Sequence, residues 1–335
     1  MTYRCAISIG REAGYGTAVT TNRELAIIDE AFDVNDDDVD GEGYYSGDEG
    51  PRDTAVTRPV LGGSGSLSLQ PTSKGTGLLL EEATGATAVH TLVSSGIYQS
   101  VFTHGDTPPS VTVQKQLPVA RTGSIAVQQF KGCIVTGYEI SMDAKGILTM
   151  NLNYDVRDPY GTAAADALTK VFGSRYIFAG AKSFSGTIVA PTTTALATGS
   201  SALAGVRTFK VTVDHKLDTD SPYNMNNGGY KDRPMPNDLR SIEVEITREF
   251  IDENFETALR AGTHMGLVFT FEAESLGASP AALQIVLPNL RPKGPLPKVG
   301  QDMVLTTPYK LMAYKNASFA QRMWIVQRTS DAALA

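Results

Sequence analysis

Cysteine is almost absent: Cys5 and Cys133 are the only two in 335 residues. Two cysteines cannot make a disulfide framework, and nothing in the sequence requires them to pair. Tryptophan occurs once, as Trp324, which gives little support for the aromatic platform a glycan binder needs. The four histidines, His90, His104, His215 and His264, have no i, i+4 partner and no cysteine nearby. The usual zinc spacings are therefore missing. Positive charge is not in excess: 29 Lys and Arg stand against 36 Asp and Glu, a net charge of −7. That argues against a protein that grips nucleic acid through its phosphates, but not against one that lets nucleic acid pass. No apolar run approaches the ~18 residues of a helical membrane span. Met1 to Thr20 has no apolar core of a signal peptide and reads as mature sequence.

Catalytic patterns are also missing. Gly10-Arg-Glu-Ala-Gly-Tyr-Gly-Thr17 is glycine-rich but lacks the Gly-Lys-Ser/Thr of a phosphate loop and the glycine spacing of a dinucleotide fingerprint. Asp36, Asp38, Asp40 and Gly41 fit the first half of a calcium loop. Its twelfth position is Gly47 where a bidentate Glu belongs, and the flanks are not helical. A solvated acidic loop is expected, with a structural calcium site as the weaker alternative; no metal and no cofactor are otherwise implied. Glu81 and Glu82 are adjacent on a helix and point different ways, so they are not a catalytic pair. An enzyme is not expected.

What the sequence has is period-2 alternation. Gly65 to Leu69, Met150 to Val156, Phe209 to Val213 and Ile242 to Ile246 each alternate apolar and polar residues. Such half-buried strands belong to antiparallel sandwiches or barrels. Helical pattern is sparse. Thr76–Ala83 and Ile251–Ala261 are the best candidates, each followed by a glycine, Gly85 or Gly262. Thr162–Val171 is Ala-rich and suggests a third, short helix. Three stretches look irregular: the acidic loop 35–59, residues 191–205, and residues 288–297, whose four prolines argue against a central strand.

A longer period is also present. Ser64–Gly85 and Ser241–Gly262 share length and order: strand, break, helix, glycine. Leu67, Leu69, Leu78 and Gly85 fall on Val244, Ile246, Phe255 and Gly262. Residues 125–158 resemble 283–316 in the same way. At ~150 residues per domain the length also suggests two domains. We read residues 1–165 as one unit and 174–335 as a second, with a linker at 161–173. A single domain with a large second-half insertion is the alternative.

The order of segments resembles the major tail tube proteins of long-tailed, siphovirus-like bacteriophages. The carrying segments are Gly10 to Ala18, a strand followed by the long acidic loop, and Gly63-Ser-Gly-Ser-Leu-Ser-Leu69. Phe130 to Met142 followed by Gly146 to Leu152 completes the set. The resemblance implies a mainly β chain of antiparallel β-sandwich or barrel tail-tube domains, each with a flanking α-helix, here duplicated in tandem. It implies subunits that join edge to edge into rings, and rings that stack into a tube in the virion tail, assembled in the host cytoplasm. It implies as partners further copies of the chain, a tape measure protein in the lumen, tail terminator and tail-tip proteins, and phage DNA in transit. No membrane is involved. A tail-tip or capsid decoration protein of the same fold is the alternative. With two domains per chain, three chains would complete the usual six-fold ring; six chains is the alternative. In the acidic loop, Asp40, Tyr44, Tyr45 and Asp48 are candidates for contact with a neighbouring subunit or ring. Ser66, Ser68, Glu243 and Glu245 are candidates for facing the channel.

Overall fold

Short alternating runs separated by Gly, Pro and Asn can bury one face each, so the chain folds as strands laid side by side. The computed structural model describes residues 5–21, 23–35, 38–40, 56–58, 60–120, 124–161, 163–168, 176–178, 180–277, 279–294 and 306–334. The first half contains β1 (Ala6–Arg11), β2 (Arg23–Glu24), β3 (Ile27–Glu30), β4 (Asp33–Val34), β5 (Val39–Asp40) and β6 (Val56–Thr57). It continues with β7 (Gly63–Leu69), α1 (Gly77–Thr84), β8 (Val89–Ser94), β9 (Ile97–Phe102) and β10 (Ser110–Pro118). It ends with β11 (Ile125–Asp143), β12 (Thr149–Val156) and β13 (Asp158–Gly161). The second half contains β14 (Ala181–Val189), β15 (Thr198–Ala202), β16 (Val206–Asp214), β17 (Ser241–Glu249) and α2 (Asn254–Ala261). It closes with β18 (Met265–Ser275), β19 (Pro280–Lys293), β20 (Thr306–Ala313) and β21 (Trp324–Thr329).

Eight strands make one continuous antiparallel front sheet, in the order β3–β7–β12–β11–β16–β17–β20–β19. The two longest strands each serve two layers. Residues 125–134 of β11 pair with β10, which pairs with β1, before the strand crosses to the front. The early part of β19 pairs likewise with β18, which pairs with β14. The strand order β1–β10–β11–β12–β7–β3 thus recurs as β14–β18–β19–β20–β17–β16.

The apolar face of the front sheet packs on this back layer and on the helices. Phe209 of β16 meets Phe269 of β18 with ring centroids 4.0 Å apart. Phe255 of α2 meets Tyr309 of β20 at 4.7 Å. Both helices end on a left-handed glycine, Gly85 at φ 83° and Gly262 at φ 64°. A Cβ would strain that conformation, which is why a glycine follows each helix in the sequence.

Glu82 of α1 is buried against the Tyr154 hydroxyl at 3.4 Å, and its Oε1 has no partner among the described residues. Burial, aided by the neighbouring Glu81, pushes its carboxyl up to about 8 against the opposing Tyr154 hydrogen bond. The folded state therefore holds a proton that the unfolded chain releases near its ordinary ~4.3. Stability from this group is full below that pH and declines as the pH rises through 8. Glu82→Gln cannot ionise. It should come close to the wild type at pH 5 and be more stable by on the order of 4–5 kcal/mol at pH 9. Equal pH slopes in thermal melts of the two proteins would contradict a buried neutral acid.

Three expectations are corrected. Residues 163–168 are not helical. The side chains of Gln114 and Gln116 bond the Ala164 and Asp166 carbonyls at 3.2 and 2.9 Å, and the Asp166 amide returns to Gln114 at 3.0 Å, holding this segment against β10. Residues 198–202 form β15, paired with β14, inside the stretch read as a loop. The proline-rich stretch from Pro288 to Lys293 is the end of β19. Pro288 sits in a bulge where the register with β18 shifts between Leu267 and Met265. The Asn289 carbonyl accepts from the Tyr314 amide, so Leu290 and Pro292 turn their backbone groups away from β20, towards the other edge. A proline costs no ladder bond there.

Candidate functional site

The second face of the front sheet is polar, and its side chains line up in rows across the strands, the longest crossing all eight. One row runs Asp29, Ser68, Asn151, Glu139, Thr212, Glu243, Met312, Arg291. The next runs Thr149, Ser141, Lys210, Glu245, Lys310, Lys293. Ser66 begins a third with Asn153, Gly137, Asp214 and Ser241. All four sequence-derived candidates, Ser66, Ser68, Glu243 and Glu245, therefore share one face, and Ser68 and Glu243 share one row. Their alternating neighbours Leu67, Leu69, Val244 and Ile246 are buried on the other side.

The polar face carries both signs of charge, several of them in pairs. Lys210 meets Glu139 at 2.6 Å across the β11–β16 junction, and Lys310 meets Glu245 at 2.8 Å across β17–β20. The Glu245 carboxylate raises the Lys310 ammonium above its ordinary value. At the end of β16, Lys216 pairs with Asp214 at 2.6 Å. Paired charges on an exposed face contribute little stability each, so their value lies in placing potential and register. The sequence reading missed Asn151, Asn153, Glu139 and Thr212. Their signal was present in the alternation of residues 138–142, 149–156 and 208–214, but which strands adjoin could not be read from it.

The acidic-loop candidates fare differently. Tyr44, Tyr45 and Asp48 lie outside the described residues, as do Asp36 and the Asp40 side chain. At the loop's base β5 pairs with β6. Asp38 is engaged by Arg58 at 2.7 Å, which holds its carboxyl below the ordinary range. Among the described residues no cluster of His, Cys, Asp and Glu could hold a metal ion. The four histidines take structural places. His104 and His215 are packed around Tyr138, His90 stacks on Tyr98 at 5.0 Å, and His264 meets Tyr314 edge-on at 5.8 Å.

The equivalent loop of the second half, Asp218–Asn237, lies back on the first. The Leu61 amide donates to the Gly229 carbonyl at 2.8 Å, and Lys231 pairs with the buried Asp155 of β12. No described helix is long and apolar enough to cross a membrane.

A family model described as "Phage tail tube protein" matches residues 2–311. Among curated proteins none matches the chain.

Proposed function

Because the chain belongs to the phage tail tube protein family, we propose that it closes into rings, that the rings stack into the tail tube, and that DNA leaves through the bore. As a member it is a structural protein of the virion tail, building a tube together with other tail proteins, and the family is not one of enzymes. The observation that carries the finer reading is the eight-stranded front sheet, apolar behind and polar in front. A sheet with two open ends removes its edges by joining copies of itself, and a closed ring leaves none.

The repeated strand order supports a tandem duplication, each half supplying four strands to the ring. Three chains would then give about twenty-four strands around the bore, with six chains the alternative. The polar rows would line the channel, where paired charges and amides offer a passing duplex little to adhere to. The tape measure protein would fill this bore before ejection, with terminator and tail-tip proteins at the two ends and assembly in the host cytoplasm. Residues 35–59 are read as an arm to a neighbouring subunit, since their counterpart Asp218–Asn237 packs on the adjoining half. Electron microscopy of the purified protein tests the reading. Tubes or stacked rings with three chains per ring are expected; a protein that stays monomeric under assembly conditions would overturn it.

The channel assignment has its own test. Replacing Glu243, which faces the uncharged Thr212 and Met312, by Lys turns one acidic position per chain into a cationic one on the proposed wall and leaves the Glu245–Lys310 pair intact. Each cation that contacts a phosphate strengthens retention through counterion release. Particles carrying Glu243→Lys should assemble and release DNA several-fold more slowly than wild type. Normal tubes with an unchanged release rate would place this face elsewhere.

A further inference from the structure

The internal junction between the halves leaves its two edges unmatched at the outer ends of the chain. At that junction β11 from Gly137 to Asp143 pairs with β16 from Thr208 to Asp214. The counterpart of this β11 edge is β19 beyond Leu290, because Gly137–Asn153–Ser66 in the first half corresponds to Arg291–Met312–Glu243 in the second. The counterpart of β16 is β3 with β4, because Asp214 faces Ser241 as Asp33 faces Ser64. Among the described residues neither counterpart edge has a strand beside it. Resting on the ring reading above, we propose that the β19 edge of one chain pairs antiparallel with the β3–β4 edge of a second copy, with Arg291 opposite Asp33.

Three features of the two edges agree with that register. The first is charge. At the internal junction Glu139 of β11 reaches diagonally to Lys210 of β16. The corresponding residues at the outer edges are Lys293 and Asp29, the same pair with its signs exchanged. Among the described residues neither Arg291 nor Lys293 has a carboxylate partner, and both are exposed, as are Asp29 and Asp33. Exchanged signs also exclude the wrong joints. A β19 edge meeting a β16 edge would set Lys293 by Lys210, and a β11 edge meeting β3 would set Glu139 by Asp29. Like charges facing across strands are destabilising, so an outer edge is disfavoured from displacing either strand of the internal junction.

The second feature is a backbone group supplied in advance. Ala31 exchanges hydrogen bonds with Ser66 of β7, so Phe32 directs its own amide and carbonyl to the open edge. The register sets Phe32 opposite Pro292, which has a carbonyl to accept the Phe32 amide but no N–H to give back. The Phe32 carbonyl already accepts from Lys115 Nζ at 2.9 Å. Lys115 thus stands in for the donor that the proline lacks.

The third feature is temporary capping. In the single chain the Phe32 amide donates to Glu30 Oε2 at 3.2 Å, and Glu30 is held by Lys115 at 2.6 Å. The carboxylate satisfies the amide until the Pro292 carbonyl takes its place, which blunts the edge against unspecific pairing.

Charge reversal and cross-linking test the seam. Lys293→Glu alone and Asp29→Lys alone should each lose at least ten-fold in the yield of rings and tubes, with unchanged melting of the free subunit. Together they should restore most of it. Arg291→Cys with Asp33→Cys should form disulfides between chains on oxidation of assembled tubes, because directly opposed residues that share no backbone bonds bring their Cβ atoms together. Denaturing gels should then show a covalent ladder that stops at three chains. Single variants that assemble as wild type, or a double cysteine variant that never cross-links within intact tubes, would overturn the seam while leaving the tube reading in place. Wild-type protein that forms no ring or tube would remove the tube reading, and the seam with it.

Discussion

With methionine at position 231, the protein should melt roughly 5 °C below the wild type, a loss of ~3–5 kcal/mol. Lys231 reaches from the loop Asp218–Asn237 to Asp155 of β12, and the two side chains are 3% and 7% exposed. Burial raises the Asp155 carboxyl, and the Lys231 ammonium pulls it back down. Asp155 Oδ2 has no partner among the described residues. Removing the lysine leaves a buried carboxylate with nothing to offset its lost hydration. The deficit should narrow as the pH falls and Asp155 takes up a proton, because a raised folded pKa favours the folded state at low pH. Adding Asp155→Asn should recover most of the loss. If Lys231→Met melts within about 2 °C of wild type at pH 7, the pair is not holding the loop to the first half.

Acid should weaken the protein through His215, and this is the second large effect. His215 follows β16 and is buried. Its Nε2–H donates to the Ala83 carbonyl of α1 at 2.8 Å, and its Nδ1 accepts from Arg240 Nε at 2.9 Å. Burial, then the Arg240 charge, pushes its pKa down to about 4. His104 bonds the Tyr138 hydroxyl at 2.9 Å, and burial holds it well below its ordinary value too. In the unfolded chain a histidine takes a proton near 6.5. Stability is therefore complete above ~6.5 and falls as the pH drops towards 4, by on the order of 3 kcal/mol from His215 alone. His215→Gln should start less stable at pH 7 and lose less between pH 7 and 4. An identical acid slope in the variant and the wild type, read from denaturant midpoints, would exclude His215 as the group responsible.

The faces of the strands were legible in the sequence because alternation is a local signal. Leu67, Leu69, Val244 and Ile246 are buried where their period places them, and Gly85 and Gly262 end the two helices. Neighbours were less legible, because pairing joins residues far apart in the chain. Nothing near Ala164 or Asp166 announces that Gln114 and Gln116 would hold their backbone and replace the helix that the alanines favoured. The prolines of β19 misled for a related reason. Proline is excluded from a central strand only where its missing N–H faces a partner, and a sequence does not say which side of a strand is open. The candidate site was half visible: its polar faces could be read, but the ion pairs between Glu139 and Lys210 and between Lys310 and Glu245 depend on strand order.

The pairing of β9 with β21 has a consequence for synthesis. The hairpin β8–β9 belongs to the first half, yet its open edge is covered by residues 325–329 of the last strand. Arg328 also reaches back to the Gln99 side chain at 2.7 Å, across 229 residues of sequence. A nascent chain can finish most of its first half early, but that hairpin stays open until the ribosome has passed Thr329. A chain broken off before Trp324 would carry both front-sheet edges and still lack the strand that seals its back layer. It would be left with the β9 edge uncovered, a target for unspecific pairing and for proteases. The geometry of one sheet thus makes completion of the first half's back layer wait for residues 325–329.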